Sequence, residues 1–171
     1  MESFDFRGLG VALVTPFDIN GDVDYDRLHL LVNRLVAGGA DYIVVLGTTA
    51  ETPCLTDDEK RRIRESVAEW VGGRVPLVLG FGGNCTAALC EELRAWDGDG
   101  YTAILSVTPF YNKPSQQGLY EHFKAVAEAS PLPVLLYNVP GRTGVNMQPA
   151  TTLRLAREVP GIAGVKEASG N

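Results

Sequence analysis

The chain has 171 residues, 45% of them hydrophobic and 21% charged, which excludes a disordered, collagen-like or mucin-like polypeptide and supplies a core for one domain over 1–171. Fifteen Lys and Arg against 21 Asp and Glu leave a net charge of −6, the wrong sign for a nucleic-acid partner held by bulk charge. A first apolar run, Val11 to Val14, precedes Leu28, Leu31, Val32 and Leu35, which fall at helical spacing and stop at Gly38-Gly39. A second run, Tyr42 to Leu46, leads to Thr56-Asp57-Asp58-Glu59, a capping box opening a helix with Ile63, Val67 and Val71 that stops at Gly72-Gly73. The third run is Val75 to Leu79, with Leu89, Leu93 and Trp96 at helical spacing after Thr86. Ala103 to Val107 is the fourth, with Leu119, Phe123 and Val126 after Ser115; Val134 to Tyr137 is the fifth, with Leu153, Ala156 and Val159 after a first-turn Pro149. Ile162 to Val165 is the sixth.

Six short, nearly continuous apolar runs alternating with helices are the pattern of parallel strands buried on both faces, at a βα period of about 30 residues. That leaves a doubly wound open sheet or a (β/α)8 barrel. A length of 171 residues favours the open sheet, but its usual nucleotide signature is missing: Gly80-Phe81-Gly82-Gly83-Asn84 carries Cys85 where a third Gly is needed. The chain also stops directly after its sixth run, at Ala168-Ser169-Gly170-Asn171. The expected fold class is α/β, a (β/α)8 TIM barrel truncated after about six strands with its C-terminal units missing.

In either architecture, reactive groups gather at the carboxyl ends of the strands. Lys166 comes first, because alternation places Ile162, Gly164 and Lys166 on one face, with Gly164 leaving space beneath the amine. A lysine forms a Schiff base with a keto acid only as the free amine, which burial in an apolar strand end would favour; a lysine that merely ends a strand in solvent is the plainer alternative. Tyr137 ends the neighbouring run and either passes a proton at Lys166 or plugs the core. Thr48 and Thr49 offer hydroxyls and N–H groups for a carboxylate, or cap a helix. Arg142, in a Pro-Gly turn, either clamps a carboxylate or is simply an exposed turn arginine, and Tyr111 is suited to relay protons or to pack.

Other chemistries have little to work with. His29 and His122 both lie within helical patterns away from the strand ends, and no H-E-x-x-H, G-x-x-x-x-G-K or G-x-S-x-G occurs, so no metal is expected. Cys54, Cys85 and Cys90 are an odd set with no C-x-x-C, the usage of a reducing compartment. The acidic start Met1-Glu2-Ser3-Phe4-Asp5 lacks the regions of a secretory leader, and no apolar stretch reaches the roughly 18 residues of a membrane span, so a cytoplasmic location and no membrane partner are expected.

Taken together, Gly47-Thr48-Thr49-x-Glu51, Thr108-Pro109-Phe110-Tyr111-Asn112-Lys113-Pro114, Tyr137-Asn138-Val139-Pro140-Gly141-Arg142-Thr143 and Gly164-Val165-Lys166-Glu167-Ala168-Ser169-Gly170-Asn171 resemble the dihydrodipicolinate synthase family, of the wider group that includes N-acetylneuraminate lyases. The resemblance runs from Gly8 onward and covers the first six βα units of longer family members. It implies a class I aldolase: Lys166 forms an imine with pyruvate, and the derived enamine adds to aspartate semialdehyde, giving 4-hydroxytetrahydrodipicolinate for lysine and diaminopimelate biosynthesis. It further implies Tyr137, Thr48 and Tyr111 as a proton relay, with Tyr111 reaching a neighbouring subunit of a homodimer or homotetramer. Thr48 and Thr49 would hold the pyruvate carboxylate and Arg142 the carboxylate of the aldehyde. No cofactor is implied, since the imine is the electron sink. The related lyases share the lysine and tyrosine but generally lack an arginine in the turn after the fifth strand, so Arg142 discriminates. Ala50 stands where Gly is common, which limits positive φ in the pyruvate loop; Ala88 stands where lysine-inhibited members often carry Glu, while Asn84 matches a residue of that allosteric site. A further alternative, from the apolar edges of a six-strand arc, is a catalytically silent fragment that associates through its open strands.

Overall fold

Helices and short parallel strands alternate along the chain, and three of the helices are opened by side-chain caps at Asp24, Thr56 and Ser115. The computed structural model describes residues 5–170; Met1 to Phe4 and Asn171, at the ends of the acidic start and of the C-terminal motif, lie outside the described residues. Two units divide the chain, residues 5–80 with 100–102 and residues 81–99 with 103–170.

In the first unit, β1 (Gly10–Ala12), β2 (Tyr42–Val45) and β3 (Leu77–Gly80) pair in parallel, in a register that sets Val11 beside Ile43 and Ile43 beside Leu77. The third run begins pairing at Leu77 rather than Val75 because Pro76 has no N–H to give to the ladder. Helix α1 (Tyr25–Ala37) is capped by Asp24, whose carboxylate accepts from the Arg27 N–H at 2.9 Å. Helix α2 (Asp57–Val71) opens with the expected capping box, in which the Thr56 hydroxyl accepts from the Glu59 N–H and the Glu59 carboxylate accepts from the Thr56 N–H at 2.8 Å. The helices bury Leu28, Val32, Ile63, Val67 and Val71, and the strands bury Ile43, Val45, Leu77 and Leu79. Each such side chain contributes about 1.5–3 kcal/mol.

The second unit holds α3 (Thr86–Ala95), β4 (Ala103–Val107), α4 (Gln116–Ala129), β5 (Val134–Asn138), α5 (Pro140–Thr143), α6 (Pro149–Glu158) and β6 (Ile162–Glu167), with β4–β5 and β5–β6 parallel. Ser115 caps α4 by accepting from the Gly118 N–H, and Pro149 stands in the first turn of α6. Leu119, Tyr120, Phe123, Leu136, Met147, Leu155 and Val159 form the core that α4 and α6 close over β5. The Pro-Gly turn after β5 forms a single helical turn, α5, stopped by Gly144 in the left-handed region (φ +72°).

The sixth strand departs from simple alternation. Val134 pairs with Ile162 but Leu135 pairs with Gly164, so Ala163 is an extra residue and the register shifts there. Ile162 consequently packs toward the α4–α6 core, whereas Gly164 and Lys166 share the opposite face with Leu135 and Tyr137. The expectation that Ile162, Gly164 and Lys166 share one face is corrected for Ile162.

Candidate active site

At the carboxyl end of the second unit, Tyr137 and Lys166 are register partners on β5 and β6 and therefore point to the same side. Tyr137 is buried, and the Lys166 Nζ stands 4.5 Å from its ring centroid, a cation–π arrangement. One residue further along, the opposite face carries a second pair. Asn138, 1% exposed, donates its amide N–H groups to Asn146 Oδ1 at 2.8 Å and to Glu167 Oε2 at 2.9 Å, while its Oδ1 accepts from the Met147 N–H at 3.0 Å. The Asn138 amide, assisted by the Ser169 N–H, holds the Glu167 carboxyl below its ordinary range.

Lys166 itself is exposed, against the expectation of burial in an apolar strand end. Among the described residues β6 pairs only with β5, and Gly164 contributes no side chain to cover the amine. The space expected beneath the amine is also filled: a Cβ at Gly164 would meet Leu135 Cδ2 at 3.1 Å.

Arg142 projects from α5 as an exposed side chain. Its turn is held by Thr143, which is buried and whose hydroxyl lies within hydrogen-bond reach of the Val139 and Val145 carbonyls, at 3.2 and 3.0 Å. Beyond the turn, Gln116 at the start of α4 donates to the Asn146 carbonyl and accepts from the Gln148 N–H. Tyr111 lies in the loop after β4, 89% exposed, with φ +73°. Asn84 and Asn112 fasten that loop: Asn84 Nδ2 donates to the Phe110 carbonyl at 3.2 Å and Asn112 Nδ2 to the Asn84 carbonyl at 3.0 Å.

In the first unit, Thr48 and Thr49 are exposed and lie in a single 3₁₀ turn, Thr48–Ala50, whose N-cap is Gly47, so neither acts as the cap offered as an alternative. The turn is pinned by Thr52, whose hydroxyl reaches the Leu46 and Gly47 carbonyls, both at 2.9 Å, and by Thr15, whose hydroxyl donates to the Ala50 carbonyl at 2.8 Å. Ala50 is buried and needs no positive φ; the left-handed residues are its neighbours Leu46 (φ +54°) and Glu51 (φ +55°). Of the described non-glycine residues only Leu46, Glu51, Tyr111 and Lys113 have positive φ, and they fall in the two loops that carry Thr48, Thr49 and Tyr111. Such strain persists where surrounding structure over-determines it, commonly at functional sites.

Thr52, Thr143, Asn84 and Asn138 were not singled out for these roles from the sequence, because nothing in the spacing of a loop Thr or Asn tells which carbonyl it will reach. Among the described residues no group of three or more His, Cys, Asp and Glu side chains is placed to hold a metal ion.

A model of the dihydrodipicolinate synthetase family matches residues 5–171. The chain belongs to the dihydrodipicolinate synthetase family. Similar members include the 4-hydroxy-tetrahydrodipicolinate synthases of Parabacteroides distasonis, 57% identical over 171 residues, covering 100% of this chain and 58% of the relative, and of Bacillus subtilis, 45% identical over 167 residues, covering 98% and 58%. The chain thus spans 58% of the length of these curated relatives. Among solved structures it is similar to the chloride-inhibited dihydrodipicolinate synthase of Acinetobacter baumannii complexed with pyruvate (TM-score 0.93, 43% identity, 98% of this chain and 57% of that one). It is likewise similar to a dihydrodipicolinate synthase of Bacillus anthracis (TM-score 0.91, 46% identity, 98% and 57%). The fold class is accordingly that expected, the first six βα units of a family (β/α)8 barrel.

Proposed function

We propose that the chain carries the imine-forming machinery of a 4-hydroxy-tetrahydrodipicolinate synthase, a lyase of lysine and diaminopimelate biosynthesis. The observation that carries this reading is the Tyr137–Lys166 pair, an amine held 4.5 Å over the ring of a buried tyrosine on the adjacent strand. The Lys166 amine attacks the keto carbon of pyruvate, and loss of water leaves an imine. Removal of a methyl proton gives an enamine, whose carbon adds to the aldehyde of aspartate semialdehyde. Ring closure by the amino group of the aldehyde partner then displaces the lysine and frees 4-hydroxytetrahydrodipicolinate. Tyr137, Thr48 and Tyr111 move the protons; Thr48 and Thr49 bind the pyruvate carboxylate. Arg142, exposed on α5 and free to reach a ligand, binds the carboxylate of the aldehyde.

The exposure and strained backbone of Tyr111 support a homo-oligomer in which it reaches a neighbouring subunit. Three free cysteines support a cytoplasmic location, and among the described residues no helix is long and apolar enough to cross a membrane. The exposure of Lys166 favours a second reading, in which these 171 residues by themselves are catalytically silent and associate through their open strands.

Borohydride reduction in the presence of pyruvate, followed by peptide mass spectrometry, separates the two. A pyruvyl adduct on Lys166, absent from Lys166→Arg, is the expected result; no adduct on folded chain selects the silent fragment. A coupled assay then compares aspartate semialdehyde with N-acetylmannosamine, and preference for the sugar would transfer the chain to the lyase-like reading.

A further inference from the structure

Tyr137 and Lys166 hold one face of the β5–β6 pair, where among the described residues the ring contact is the side-chain tie between the two strand ends. The fastening is on the other face. Asn138 and Glu167 are again register partners, and the Asn138 amide reaches both oxygens of the Glu167 carboxylate, at 3.2 and 2.9 Å. The Asn138 carbonyl accepts from the Ala168 N–H at 2.9 Å, so the backbone of one residue holds the peptide after Glu167 while its side chain holds the Glu167 carboxylate. The same amide closes the Arg142 loop through Asn146 and Met147, and Asn146 is in turn held by Gln116. Asn138 is thus the only side chain among the described residues bonded to both the lysine strand and the segment that closes the arginine loop.

We propose that Asn138 is a positioning residue, a latch whose hydrogen bonds to Glu167, Asn146 and Met147 set Lys166 over Tyr137 and fix the Arg142 turn relative to it. The proposal deepens the imine-forming reading and rests on it for its catalytic meaning, though the latch itself has a physical signature of its own. Because successive strand residues point to opposite faces, a carboxylate anchored at 167 restricts the backbone dihedrals that aim the side chain at 166. A donor aimed at an ionised carboxylate is among the stronger hydrogen bonds, and its removal shifts a local equilibrium by about tenfold or more. The depressed titration of Glu167 is consistent with that donor being in place.

The test uses four variants of this chain and two readouts. The readouts are the rate of borohydride trapping of pyruvate on Lys166 and the ring-current shift of the Lys166 ε-methylene in carbon-13 lysine-labelled protein. Glu167→Ala, at an exposed side chain, removes the anchor without touching the buried amide; trapping is expected to slow about tenfold and the ring shift to collapse. Glu167→Gln still presents a carbonyl to the Asn138 N–H, and both readouts are expected to stay near wild type. Asn138→Asp sets two carboxylates face to face and abolishes both signals, and adding Glu167→Gln, whose amide now donates to the new carboxylate, restores them. Should Asn138→Asp fail to fold, the two single changes at Glu167 decide alone. Wild-type readouts in folded Glu167→Ala, or no recovery in a folded double variant, overturn the latch. If the wild-type chain traps no pyruvate, the imine-forming reading fails, and the ring shift alone upholds or overturns the latch.

Discussion

Gly80 is the last residue of β3, and a single methyl group there tests how the Thr48–Thr49 turn is built. A Cβ at this position would overlap the Leu46 carbonyl and stand 2.8 Å from Gly47 Cα. Ordinary carbon contacts lie at about 3.5–4.0 Å, so the Leu46–Gly47 peptide must retreat by roughly 1 Å. It cannot do so freely. Leu46 is already in the left-handed region, and both carbonyls of that peptide pair are engaged by the Thr52 hydroxyl at 2.9 Å, with the Gly47 carbonyl also accepting from the Ala50 N–H at 3.0 Å. Overpacking costs about 1–3 kcal/mol and each weakened hydrogen bond about 1 kcal/mol, which gives Gly80→Ala a destabilisation of about 3 kcal/mol. With a urea slope of about 1.5 kcal/mol per molar, the unfolding midpoint falls by about 2 M. Gly83→Ala is the control: its Cβ would meet nothing within 4 Å and its φ is not positive, so a change within about 0.5 kcal/mol is expected. A Gly80→Ala midpoint within about 0.5 M of wild type would refute the account of close backbone approach.

Tyr137→Phe keeps the ring beneath Lys166 and removes only the hydroxyl; pyruvate trapping is expected to slow by about 10²–10³ with the Lys166 ring shift unchanged, and an unchanged rate would remove the phenol from the proton relay. Burial pushes the His122 imidazole down to about 4, so stability is complete above the ordinary histidine range and declines as pH falls from about 6.5 toward 4, where the unfolded chain takes up a proton that the folded one refuses. The expected loss is on the order of 3 kcal/mol, read from denaturant midpoints across that window, and His122→Gln should flatten the slope. The Glu59 carboxyl is held low chiefly by the Thr56 N–H, so its contribution is present above the ordinary glutamate range and lost as pH falls through its lower folded value. A carbon-13 titration should return Glu59 to the ordinary range in Thr56→Pro, which has no N–H to give; a low value retained there would place the cause elsewhere.

The starts of α2, α4 and α6 were legible without coordinates, whereas Asp24, the local cap of α1, was not singled out. Thr56 with Glu59 and Ser115 lie within a few residues of the N–H groups they satisfy, and Pro149 suits a first helical turn through its own fixed φ, so adjacency in sequence guarantees adjacency in space. Where the partner is distant, the place was legible but not the bond: α3 does begin at Thr86, yet the Thr86 hydroxyl bonds to His122 Nδ1 at 2.8 Å, and Cys85 occupies the cap position without a side-chain bond. The candidate residues themselves could be found because family motifs are runs of neighbours, Tyr137 to Thr143 and Gly164 to Ser169 among them.

The order of six βα units, the caps at Thr56 and Ser115 and the motifs at the strand ends were thus determined by the sequence alone, since periodicity, capping and turn chemistry act over a few residues. The meeting of Tyr137 with Lys166, the shift at Ala163 that turns Ile162 to the other face, the exposure of Lys166 and the grip of Asn138 on Glu167 were decided only by tertiary structure. The physical reason is register: a slip of one residue between paired strands exchanges their faces, and register is set by the whole packed layer rather than by either strand.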